Sequence, residues 1–120
     1  MVKDFKVNET TVSWLYTDNL IKIEKYKVDD AKYFEKEKLV IIFYYDKSDL
    51  PPYMIGYNID GTKRFFLKST YDFGIDSFTN EPGFKNIPVI GWMKEGDMYV
   101  DYYFDLNPED GSLTRYGRAY

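Results

Sequence analysis

Along residues 97–106 the side chains alternate without a break: Met98, Val100, Tyr102, Phe104 and Leu106 fall on one parity, and Asp97, Tyr99, Asp101, Tyr103 and Asp105 on the other. Period-two alternation of this kind marks a strand with one face buried and one face open. A hairpin turning at Glu95-Gly96 joins it to residues 87–94 and pairs Met93 with Met98, Gly91 with Val100, Val89 with Tyr102 and Ile87 with Phe104. The next turn, Asn107-Pro108-Glu109-Asp110-Gly111, combines a proline that fixes one turn residue with a glycine that accepts positive φ. It returns the chain through Leu113 to Tyr120.

The clearest local signal is Asp60-Gly61, lying between Tyr53 to Ile59 and Thr62 to Lys68. A two-residue Asp-Gly loop suits a tight hairpin. Counting back from it pairs Tyr57 with Arg64, Ile55 with Phe66 and Met54 with Leu67, and lays Phe65 across Gly56. Leu39 to Tyr45 is wholly apolar or aromatic, the mark of a central strand covered on both sides. Thr11 to Tyr16 and Leu20 to Val28 read as a hairpin over Thr17-Asp18-Asn19, with a slip in the alternation between Ile23 and Tyr26 that a bulge would produce. Asp30 has the chemistry to N-cap one short helix through Lys36. Asp72 to Asn86 has no clear period and reads as a long loop whose Phe73, Phe78 and Phe84 plug the end of a barrel.

These elements predict a single all-β domain over residues 1–120. It is mainly an antiparallel meander of about eight strands, in a barrel or a sandwich, with at most one or two short helices. The strand ends at Asp60-Gly61-Thr62 and Asp110-Gly111-Ser112 look alike, but a shared common turn does not by itself imply a repeat architecture.

Composition narrows the chemistry. With neither cysteine nor histidine among 120 residues, disulfides, thiolate or imidazole metal sites and Ser-His-Asp or Cys-His catalysis cannot be built. No glycine-rich phosphate loop precedes a helix, so no nucleotide cofactor is expected. Asp105-x-Asn107-x-Glu109-Asp110-Gly111 begins like a calcium loop, but Asp110 stands where the pattern needs glycine and Tyr116 where it needs glutamate, so no metal is expected. No apolar run reaches the length of a membrane span, and the N-terminus lacks the apolar stretch of a secretory signal. A complete chain of this kind is expected in the cytoplasm.

Residues 71–110 carry nine acidic side chains against Lys85 and Lys94, within a chain of net charge −4. Phosphate backbones repel that sign, so the composition disfavours nucleic acid and favours a protein partner with a basic surface; homo-oligomerisation is left open. The expected binding face takes Trp92 from one strand and Tyr99, Asp101, Tyr103 and Asp105 from the next. Tyr116 and Arg118 join from the last strand, where a regular register sets Arg118 against Asp101. Tryptophan, tyrosine and arginine gathered on one sheet face are the residues of interface hot spots.

The function expected is therefore that of a small acidic binding protein occluding a basic protein surface. In composition it is comparable to immunity and inhibitor proteins that neutralise toxins or defence enzymes in bacteria and phages. A carbohydrate or small-molecule binder stacking its ligand on the same rings is the alternative. A carboxylate hydrolase comes third, because Asp101 and Asp105 lie about 13 Å apart along a strand, more than the roughly 5 to 9.5 Å that paired-carboxylate chemistry uses, which leaves Asp72, Asp76 or Glu81 as the partner Asp101 would need.

Overall fold

A computed structural model describes residues 2–47, 52–70 and 72–119. These residues form eleven strands: β1 (Val2–Val7), β2 (Thr11–Tyr16), β3 (Asn19–Glu24), β4 (Lys27–Phe34), β5 (Leu39–Tyr45), β6 (Tyr53–Asn58), β7 (Lys63–Leu67), β8 (Phe73–Phe78), β9 (Ile87–Glu95), β10 (Met98–Leu106) and β11 (Leu113–Arg118). The fold is all-β, as the alternation predicts. No helix among the described residues is long and apolar enough to cross a membrane.

The strands make three antiparallel meanders in strict chain order, β1-β2-β3, β4-β5-β6-β7 and β8-β9-β10-β11. No barrel closes. The middle sheet is covered on both faces, and β5 shows why. Its Leu39, Ile41 and Phe43 pack with Ile75, Val89, Phe104 and Leu106 of the third sheet. Its Val40, Ile42 and Tyr44 pack with Val12 and Trp14 of the first. Since successive side chains point to opposite faces, an unbroken apolar strand has to lie between two layers. Each large apolar side chain so buried contributes roughly 1.5 to 3 kcal/mol.

Two of the expected elements change character. The Asp30–Lys36 helix is absent, and its place is taken by β4, where Ala31 and Tyr33 pack toward the first sheet and Phe34 toward the third. Pairing along the fully apolar β5 outweighs a local capping signal. Asp30 instead follows a register shift between Val28 and Asp30, and its carboxylate accepts from the Ala31 N–H at 2.8 Å. The residue 72–86 loop contains β8, which together with β1 and β4 brings the strand count to eleven rather than eight. The slip at Ile23 to Tyr26 is no bulge but the crossover from first sheet to second, tied down where the Lys25 and Val28 N–H groups donate to the Thr10 and Glu9 carbonyls.

The hairpin registers were read with mixed precision. In the β6–β7 pair Met54, Ile55 and Gly56 face Leu67, Phe66 and Phe65 as expected, and a bulge then sets Tyr57 against Lys63 rather than Arg64. Phe65 lies so close over Gly56 that a Cβ there would meet its ring at 2.4 Å. The β9–β10 turn falls one residue later, at Gly96-Asp97, so Met98 faces Glu95 and Val100 faces Met93. That two-residue change of partner leaves every side chain on its expected face. Met98, however, is not core: the hairpin outruns the middle sheet and leaves it 68% exposed.

Arg64 ties the second sheet to the third. Its Nε donates to Asn58 Oδ1 at 2.6 Å, one terminal nitrogen reaches the Pro108 carbonyl at 3.0 Å, and the other reaches the Lys38 carbonyl at 2.8 Å. The rigid five-donor fork holds three separated acceptors in fixed directions, a geometry that the compact ammonium of lysine does not pre-organise.

Candidate functional site

The face of the third sheet turned away from the core gathers aromatic and acidic side chains from three strands and one loop. In β9, Trp92 lies across from Gly74 of β8 on one side and Asp101 of β10 on the other. Its indole occupies the space over Gly74, where any Cβ would stand 2.6 Å from the ring. Tyr99 meets Trp92 edge to face at 5.3 Å and stays 57% exposed. Tyr103 sits one pleat further along the strand, beside Ile90.

A second aromatic group continues from Tyr103. Phe84, from the segment between β8 and β9, stands 5.9 Å from Tyr103 and 4.5 Å from Tyr116, ring centre to ring centre. The Tyr116 hydroxyl donates to the Gly83 carbonyl at 3.3 Å, yet the residue is 56% exposed. Phe84 therefore extends the outer face instead of plugging an end of the fold. Sequence reasoning missed its role because a phenylalanine in an aperiodic loop carries no parity.

Two of the expected site residues take different surroundings. Asp105 is buried: its carboxylate accepts from the Asn86 backbone N–H at 2.9 Å and holds the loop down against the strand. Arg118 does not face Asp101. The expected register holds from Leu106–Leu113 to Phe104–Arg115, then a bulge inserts Tyr116 and sets Arg118 against Tyr102. Gly117, at φ +153°, supplies the backbone that the bulge requires. Arg118 thus shares the parity of the core-facing side chains, where Arg115 also stands 5.0 Å from the Tyr102 ring. Asp101, Trp92 and Tyr103 lie partly buried on the outer face, flanked by their pleat neighbours.

Charge concentrates at the edge of this face. The Asp76 carboxyl, beside the register shift of β8, is held above the usual carboxylate range, first by desolvation and then by the charges of Asp101 and Asp29. Asp29, at the bulge of β4, is raised likewise by desolvation and by Asp30. A raised carboxyl binds its proton more tightly in the folded state, so its stabilising contribution is complete at acid pH and fades as pH rises through the folded value. Asp76→Asn is accordingly expected to raise the melting temperature at pH 7 and to lose that advantage near pH 3.5, as thermal melts at the two pH values would show.

Elsewhere the polar groups are committed to turns. Asn107 Oδ1 accepts from the Glu109 N–H and Asp110 Oδ1 from the Ser112 N–H, both at 2.9 Å, so the calcium-like segment works as a capped hairpin turn. A cleft of about 510 Å³ between Lys36, Glu37, Arg64, Lys85, Asn86, Pro108 and Glu109 is polar, and its guanidinium is already bonded to carbonyls. The aromatic face itself is an open sheet surface built from rings and carboxylates. It is suited to cover another surface. No protein-family model, no curated protein and no solved structure matches the chain.

Proposed function

We propose that this chain is a binding module that lays the outer face of its third sheet against a basic surface of a protein partner. The observation that carries this reading is a pair of ring clusters on one sheet face, Tyr99 with Trp92 and Tyr103 with Phe84 and Tyr116, with Asp101 between Tyr99 and Tyr103 on β10 and Asp76 nearby. Rigid aromatic side chains bury much area for little lost entropy, and the adjoining carboxylates steer a cationic partner into register. An inhibitor or immunity role, in which covering a basic working surface is the whole activity, is the kind of task such a module performs.

The test uses the partner recovered on immobilised protein and its association rate in low and in moderate salt. Asp101→Lys is expected to slow association about tenfold in low salt and much less as the salt screens the field. An association rate indifferent to both the charge reversal and the salt would remove the steering role.

A further inference from the structure

The three sheets follow one plan, the first with three strands and the second and third with four. Each is a consecutive meander entered by its first strand and left by its last, and each packs face to face on the next. The last hairpins of the second and third sheets turn on similar residues, the second loop being one residue longer. Asn58 N–H donates to the Thr62 carbonyl and Asn107 N–H to the Ser112 carbonyl, each at 2.8 Å. The Asp60 and Asp110 carboxylates then accept from the Thr62 and Ser112 N–H groups, at 3.0 and 2.9 Å. In a stack of three sheets every inner face has a neighbour, and the two terminal faces are left without one.

Those terminal faces are unlike, and they complement each other. Trp14 and Val12 of β2 point into the core, so Ser13 and Leu15 point outward, and the register places Lys6 and Lys22 beside Ser13, with Lys3 and Leu20 beside Leu15. Positive φ at Asp4 and the register shift around it let Val2 and Phe5 pack inward while Lys3 and Lys6 both face out. The outer face of the first sheet is thus an apolar pair, Leu15 with Leu20 at 65% exposure, framed by three lysines; Glu24, 3.7 Å from Lys22, is its acid. The outer face of the third sheet presents rings beside the carboxylates of Asp76 and Asp101, with Lys94, the cross-strand partner of Tyr99, as its base.

We propose that the basic surface covered by the third sheet is the outer face of the first sheet on a second copy of this chain, so that the sheet-on-sheet stack continues from one molecule into the next. The proposal rests on the binding reading above and names its partner. A contact between two different faces is heterologous, and it either closes into a ring or runs on as a filament. Both leave the same contact in place.

Sedimentation velocity across a concentration series to about 200 µM, in low salt, tests it, since even contacts with a Kd near 0.1 mM register there. The wild-type chain is expected to gain mass with concentration. Lys6→Glu with Lys22→Glu makes both terminal faces acidic, and Asp97→Lys with Asp101→Lys makes both basic, so each variant alone should stay monomeric. Their equimolar mixture should associate again, because opposite faces then meet across unlike chains, and that recovery also shows that both variants fold. A wild type monomeric throughout overturns the proposal, as does an oligomer that neither charge reversal disturbs. If the monomeric wild type still binds a foreign basic protein through Tyr99 and Tyr116, self-docking has failed and the binding reading stands.

Discussion

Trp14→Ala should destabilise the domain by about 3 to 5 kcal/mol, the range for deleting a large aromatic ring from a packed core. Trp14 is fully buried where the first sheet meets the second, and its indole N–H donates to the Ile59 carbonyl at 2.8 Å across that joint. No other side chain of the first sheet combines so large a buried volume with a hydrogen bond to its neighbour. Domains of this kind keep only about 5 to 15 kcal/mol in total, so the variant is expected to melt well over 10 °C lower or to lose cooperative unfolding. Trp14→Phe keeps most of the ring but loses the donor, and should cost nearer 1 to 2 kcal/mol. Chemical denaturation of the three proteins measures both steps. A loss below about 1 kcal/mol for the alanine variant would mean that the first sheet is not held through this residue.

What the sequence disclosed, and what it hid, follows from how far each signal reaches. Alternation along β10 and the Asp-Gly turn of β6–β7 are local, and both led to the observed faces, with Phe65 over Gly56 as expected. The helix expected from Asp30 failed because an apolar partner strand, remote from the cap in local terms, decided the conformation. The position of Arg118 was lost to a single inserted residue at Tyr116, which a glycine at 117 permits but does not announce. Asp105 has the parity of a site residue, yet its carboxylate is spent on the Asn86 N–H, a contact made by a loop that returns over the strand. Met98 has the parity of the core, yet the middle sheet ends before reaching it. Gly74 was missed because β8 lies in a stretch with too little periodicity to be read as a strand, and the same gap left Asp76 unplaced although it was one of the carboxylates that could pair with Asp101.

The second large effect concerns binding. Tyr99→Ala combined with Tyr116→Ala removes two rings that are each more than half exposed, so the melting temperature should move by no more than a few degrees. Hot-spot aromatics are worth at least about 2 kcal/mol apiece, and the pair should therefore weaken the partner's Kd by at least 100-fold in a calorimetric titration. Tyr103 is the poorer choice for this purpose, because it is partly buried where Tyr99 and Tyr116 are exposed. An unchanged Kd would remove the outer face from the interface.

Hydroxyl-radical footprinting of the unmodified chain, alone and in complex, puts the central claim to its most direct test. Met98 and Tyr99 are adjacent in sequence, exposed at 68% and 57%, and directed to opposite faces of one hairpin, so each serves as the other's control. If the outer face of the third sheet is the contact surface, complex formation protects Trp92, Tyr99 and Tyr116 from oxidation and leaves Met98 as reactive as before. Protection of Met98 with Tyr99 unchanged would place the interface on the opposite face and contradict the account.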